Sequence, residues 1–147
     1  NWWTTRLASS RAPAWIMNGS QFFAGYIGKE SFESDHPHDL AEVSKLLSGI
    51  DAPVLFGSGD VHYSEVMRIE KKKLGYETFE LTSSSIHSAT HPGMNDKKNP
   101  RRLKTTWKHN FMIVDSYPTM TGEIGFKTWA VGAGQRVQFQ FEGRVRR

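Results

Sequence analysis

Read for apolar and polar positions, the first third of the chain gives three elements in a row. Ala14-Trp15-Ile16-Met17 is a short apolar run halted by Asn18-Gly19, the pattern of a buried strand. Pro37 suits the first turn of a helix. Leu40, Val43, Leu46 and Leu47 then recur at helical spacing, and Gly49 offers a stop. Pro53-Val54-Leu55-Phe56 is again continuously apolar and short. Strand, helix, strand in this order predicts a βαβ unit with parallel strands. Residues 1–13 read as irregular, and the Gly-, Ser- and aromatic-rich stretch 20–36 reads as a long loop.

Further on the pattern changes. Tyr76 to Leu81 alternates as a strand and runs into the hydroxyl-rich Thr82-Ser83-Ser84-Ser85. Residues 88–106 are polar and basic, broken by Pro92, Gly93 and Pro100, and predict a long surface loop. Phe111 to Val114, Gly125 to Val131 and Val137 to Phe141 predict three strands with short turns. Val137, Phe139 and Phe141 alternate with Gln138 and Gln140, giving one buried and one wet face. The expectation is a single α/β domain over 1–147. It has a strand-helix-strand part in 1–75 and mainly antiparallel strands in 76–147, with a basic loop at 88–106 and an antiparallel meander at the end.

Composition narrows the classes. With 37% hydrophobic and 23% charged residues in 147, the chain has a globular balance and length for one core. No run of ~20 apolar residues is available to cross a membrane as a helix. There is no cysteine, which excludes disulfides, thiolate metal ligands and a cysteine nucleophile. Asn1 is followed at once by Trp2-Trp3, with no leader pattern. A natural chain begins with Met, so an upstream segment is expected that was either cut away or simply not included. The net charge is +4. Ten of the 19 Lys and Arg fall between Arg68 and Lys108, and three more are Arg144, Arg146 and Arg147. A basic surface favours anionic partners, although such a surface is more often plainly solvated. No RNA- or DNA-binding signature supports specific nucleic-acid recognition.

The segment with chemistry in it is Val54-Leu55-Phe56-Gly57-Ser58-Gly59-Asp60-Val61-His62-Tyr63-Ser64-Glu65. An apolar strand ends in small residues, and a carboxylate and an imidazole follow two positions apart. The C-terminal edge of strands in an open α/β sheet is where ligands bind. Gly57 and Gly59 permit a tight turn and a close backbone approach. Asp offers a hard oxygen donor and neutral His a borderline nitrogen donor, so the pair is a candidate metal-binding element. An Asp-x-His pair can also be a structural hydrogen bond. Tyr63 and Glu65 adjoin the pair, and Glu65 is a candidate for orienting His62 from behind. Lys29 could meet a phosphate as a point charge. Thr82 to Ser85, with Ser84 as the favoured one, could line a pocket through hydroxyls, or could equally finish the strand and cap a turn. His87 and His91 could face a substrate, as could His36 and His38 at the helix start. The five tryptophans are most simply core or covering residues. No P-loop, nucleophile elbow, His-Glu-x-x-His or dinucleotide fingerprint occurs.

"GSGDVHYSE" resembles the Gly-Asp-x-His motif of PhoD-like alkaline phosphatases, a branch of the calcineurin-like metallophosphoesterases. Four further pieces resemble that family in the same order: "WIMNGSQFF", "DLAEVSKLL", "FELTSSSIHS" and "HNFMIVD", the last with Met112 where glycine is usual. The resemblance spans roughly 14–131. It implies the C-terminal half of a calcineurin-like two-sheet sandwich with flanking helices, and metal-dependent hydrolysis of phosphate mono- or diesters. Asp60 and His62 would be late metal ligands and catalytic residues. The ions would be divalent, Ca²⁺ or Mn²⁺, with iron as a further option. The family's earlier ligand motifs are absent from this chain, so the missing N-terminal half is an expected partner, and weak metal binding and no turnover are expected of the chain alone. The alternative is a non-catalytic module that holds an anionic polymer on its basic surface, which salt would weaken whatever the metal content.

Overall fold

The computed structural model describes residues 2–9 (there, the side chains of 5–7 and 9 only), 12–26, 30–93 and 96–147. In chain order the elements are α1 (Trp2–Ser9), β1 (Ala14–Met17), α2 (Phe32–Asp35), α3 (Pro37–Ser48), β2 (Val54–Ser58), β3 (Ser64–Ile69), α4 (Lys71–Leu74), β4 (Thr78–Thr82), β5 (Arg102–Thr106), β6 (Asn110–Pro118), β7 (Ile124–Gly132) and β8 (Val137–Val145). The fold is α/β, with a five-stranded mixed sheet ordered β1-β2-β4-β3-β5 and a three-stranded antiparallel sheet ordered β6-β7-β8.

The expected βαβ unit is present: β1 and β2 are joined through α3 and pair in parallel, Ala14 against Val54. Leu40 and Leu47 of α3 are buried, whereas Leu46, expected on the same apolar stripe, is 44% exposed. At the far end of α3, Arg147 donates to the carbonyls of Leu47 and Ser48 and lies over the Tyr76 ring, a cation placed at the negative end of the helix. The meander also forms as expected, with all three strands paired antiparallel.

Four expectations are corrected. Residues 2–9 are helical rather than irregular, and Leu7 packs on the core. The loop 20–36 contains a one-turn helix, α2, started by the Ser31 hydroxyl accepting from Ser34 N–H. Strand β3 lies within the part read as strand-helix-strand. It pairs antiparallel with β4 and with β5, which makes the sheet mixed. The basic loop does not extend to 106, because Arg102–Thr106 forms the edge strand β5.

Pairing registers sort the large sheet into two faces. Trp15, Leu55 and Phe79 point at the meander, where Phe126 stands edge-on to Trp15 and Phe79, with Phe141 beside Phe79 and Phe126. The opposite face carries Phe56, which packs against Phe22 and Phe23 of the loop after β1. That face also carries buried polar residues: Ser58, Glu65, Thr78, Glu80 and Thr82. The Arg101 guanidinium locks the loop down. It donates to both oxygens of Glu33, to Glu70 and to the Phe23 carbonyl, and lies over the Tyr26 ring. Lys73 adds a second cation on Glu33 at 2.7 Å.

Candidate functional site

Strand β2 is buried along its whole length and delivers its C-terminal end to the Asp60-Val61-His62 turn. Gly57 lies within the strand, under the Met17 side chain, and is not part of the turn. Gly59 does make the expected close approach: its N–H donates to the Gly19 carbonyl at 2.9 Å, and a Cβ there would stand 3.2 Å from that oxygen. The left-handed backbone falls not on the glycines but on Asp60 (φ 72) and His62 (φ 60). Val61 N–H donates to Gly59 C=O across Asp60, which makes this the rare γ-turn with positive φ. Two left-handed positions on residues with a Cβ, separated by one valine, store backbone strain of order 1–3 kcal/mol each. Such strain persists only where surrounding structure enforces it.

The enforcing structure is the hydroxyl run after β4. Ser83 N–H donates to Ser58 C=O, the Ser84 hydroxyl accepts from His62 N–H at 3.1 Å, and Ser84 N–H donates to the Ser64 hydroxyl. Ser85 is itself left-handed (φ 129) and is tied to Asn110 and Lys108. Ser84 therefore splints the turn from behind; it is not in the cavity lining. Met112 N–H donates to the Ser83 hydroxyl, which couples the meander to the same splint.

In front of the turn lies an open cavity of about 920 Å³, lined by Asp60, Val61 and His62, by Glu30, Ser34 and Asp35, and by His91, Pro92, Gly93 and Lys97. Asp60 is exposed and His62 half-buried. His62 Nδ1 is shut away from solvent without a hydrogen-bond partner among the described residues, an uncommon state for a buried polar atom. The His62 and His91 rings lie parallel within 3°, their centres 5.2 Å apart. Of the remaining sequence candidates, His87 is exposed and outside this lining, and Lys29 lies outside the described residues. His36 rests against the Phe32 ring, and His38 is exposed beside Asp39.

Behind the cavity runs a buried chain of polar groups. Ser58 and Thr82 share a hydrogen bond, Gln21 donates to Thr82 and to Glu65, and Glu65 is also met by the Tyr63 hydroxyl and by Arg102 Nε at 2.6 Å. Glu65 does not take the expected place behind the His62 imidazole; its bonds go to Gln21, Tyr63 and Arg102. Burial, and after it the Glu65 carboxylate, push the Tyr63 phenol well above its ordinary value. Gln21 and Arg102 were not singled out by sequence. Gln21 stood in view in the "WIMNGSQFF" segment, whereas Arg102 was hidden in a run of basic residues.

Glu80, fully buried, accepts from the N–H groups of Phe22 and Phe23 at 2.7 and 2.9 Å and so holds the loop that forms one cavity wall. Burial raises its carboxyl from 4.5 to about 7, against those hydrogen bonds and one from Ser58, with the Glu65 charge adding to the rise. Glu33 goes the other way. Burial would raise it, but hydrogen bonds from Arg101, Lys73 and Gly25 N–H hold it at about 2. A carboxyl with a raised folded value binds its proton more tightly folded than unfolded, so the Glu80 contribution grows as pH falls from about 7 to about 4.5. The Glu33 contribution is complete above 4.5 and is lost as pH falls from there toward 2. Urea midpoints measured across this range are expected to peak near the ordinary glutamate value. Glu80→Gln should abolish the slope on the neutral side only, and a slope that survives the substitution would assign it to another group.

No family model, curated protein or solved structure matches the chain. What the cavity can do is therefore argued from its own donors. A carboxylate and an imidazole held on a strained turn suit a cation that takes oxygen and nitrogen ligands. The donor set is short: among the described residues no three His, Asp or Glu already converge on one point.

Proposed function

We propose that this chain forms one wall of a metal-dependent phosphoesterase site of the PhoD-like, calcineurin-like kind, with Asp60 and His62 as metal-ligand residues. The observation that supports it most is the pair of left-handed residues in Gly59-Asp60-Val61-His62, splinted by Ser58, Ser64 and Ser84 and opening into the cavity. Strain of that kind gathers where side chains must be aimed. The order of the five family-like segments along the chain agrees with it.

Within this reading the roles divide by position. Asp60 and His62 hold cations at the cavity wall. A bound divalent cation supplies Lewis-acid polarisation of a phosphoryl oxygen. Lys97 faces the same space and adds positive charge toward a phosphate. Ser84 keeps the His62 backbone in place, and the Glu65–Arg102–Gln21 group fixes the floor on which the turn rests. Two ligand residues do not hold a pair of ions, so the remaining donors come from protein beyond those described. A second open surface suits such an addition: the cleft between the sheets lined by Trp15, Met17, Leu81, Met112 and Val114, where Met17 is 71% exposed.

Hydrolysis of p-nitrophenyl phosphate and its bis ester tests the reading, with Ca²⁺, Mn²⁺ or Fe added, for the chain and for any longer polypeptide containing it. Chelator is expected to remove turnover. Asp60→Asn should cut kcat/KM by roughly two orders of magnitude or more, the equivalent of several kcal/mol of lost charge stabilisation. Turnover that survives both chelator and Asp60→Asn would overturn the proposal.

A further inference from the structure

Asn18-Gly19 is the one place in the chain where asparagine precedes glycine; the other asparagines precede Trp2, Asp96, Pro100 and Phe111. Nothing in the fold demands that glycine. Its backbone is not left-handed, and a Cβ there would meet no atom within 4 Å. Its effect falls instead on its neighbour. Lacking a Cβ, Gly19 leaves its nitrogen open to approach, and its N–H has no hydrogen-bond partner among the described residues. Gly19 is exposed and Asn18 half-buried. Asn18 Nδ2 donates to the Ser20 carbonyl at 3.0 Å, the forward curl that asparagine adopts in turns. That curl turns the carboxamide toward the glycine peptide rather than away from it.

The same two residues anchor the candidate site. Asn18 N–H donates to Gly57 C=O at 3.0 Å, and Gly59 N–H donates to Gly19 C=O at 2.9 Å. The second bond is the last tie before the left-handed Asp60.

We propose that Asn18-Gly19 is a self-modification site, where deamidation to isoaspartate releases the Gly19–Gly59 hydrogen bond and loosens the turn that carries Asp60 and His62. Asparagine is among the chemically labile residues. The Gly19 nitrogen, giving its proton to solvent base, attacks Asn18 Cγ; the Cγ–Nδ2 bond breaks and ammonia leaves. Water then opens the succinimide. Attack at Cγ gives aspartate, and attack at the main-chain carbonyl gives isoaspartate. Isoaspartate routes the main chain through Cβ and Cγ, adding one atom between the tie to Gly57 and the tie to Gly59. Two bonds set by one strand register cannot both span the longer path. Either product also puts a carboxylate into a cleft that Glu30 and Asp35 already line.

The test is incubation of the full chain at body temperature in mildly alkaline buffer, followed by peptide mass spectrometry that separates isoaspartate from aspartate. Isoaspartate is expected at position 18 ahead of any change at Asn99 or Asn110. Gly19→Ala, which the open space admits, should slow it severalfold. In the deamidated fraction the Gly59 amide should exchange with deuterium roughly two- to tenfold faster, as loss of one hydrogen bond implies. The Ala130 amide in β7 should be unchanged. Asn18→Asp, whose main chain is not lengthened, should keep Gly59 protected. Absence of isoaspartate at 18, an unchanged rate in Gly19→Ala, or isoaspartate at 18 with Gly59 still protected overturns the inference. So does equal loss of protection in Asn18→Asp. Each of these leaves the phosphoesterase reading standing, because the inference uses only the geometry of the turn.

Discussion

Replacing Arg101 by alanine is expected to cost about 3–5 kcal/mol of folding stability at neutral pH, the range for removing one partner of a buried ion pair. The side chain is 3% exposed and is the common partner of Glu33 and Glu70. Without it, Glu33 keeps only Lys73 and the Gly25 N–H, and the Phe23 carbonyl loses its donor. The loss should show as a lower urea midpoint with little change in slope. Arg101→Lys should recover only part of it, because an ammonium cannot make the two parallel bonds to Glu33 while also reaching Glu70. A loss below about 1 kcal/mol would mean that these charges behave as an exposed pair.

A second large effect is expected beneath the cavity. Glu65 is wholly buried, and its partner Arg102 is 8% exposed. Glu65→Ala leaves the Arg102 cation buried and takes an acceptor from Gln21 and Tyr63, so a loss of about 3–5 kcal/mol is expected here too. Removing both charges with apolar residues of similar size, as in Glu65→Leu with Arg102→Met, should cost less than Glu65→Ala alone, since no unpaired charge remains. Thermal or urea unfolding of the two variants decides it. A double variant less stable than the single one would show that the pair contributes net stability rather than register between β3 and β5.

These two charges also explain what the sequence concealed. β1 and β2 were legible as short continuous apolar runs, and α3 and the last strand of the meander by the period of their apolar positions. β3, Ser-Glu-Val-Met-Arg-Ile, and β5, Arg-Leu-Lys-Thr-Thr, carry charges at positions that read as solvated. Glu65 can sit inside only because Arg102 arrives from a strand far along the chain, and local patterning cannot register a partner so distant. In α1, no clean apolar stripe announced the helix. At the site, the Gly-Asp-x-His segment was visible, but the tight turn was assigned to its glycines. The left-handed conformation falls on Asp60 and His62 because the serine run behind them supplies the bonds that hold it. Between His87 and His91 nothing in an irregular loop says which turns inward; only the path of the chain over the turn selects His91.

The meander has a bearing on how the chain reaches this fold. β6, β7 and β8 follow one another directly and pair with their neighbours through short connections, so closing them fixes few residues between contacts. In the large sheet only β3 and β4 pair across a short connection; the ladders that join Ala14 to Val54 and Val66 to Lys104 require long loops to close. The meander is therefore expected to assemble early and to offer Phe126 and Phe141 as a ready apolar surface. The slower sheet is then expected to condense on it, with the strained turn at Asp60 and His62 set only once Ser83 and Ser84 have come alongside.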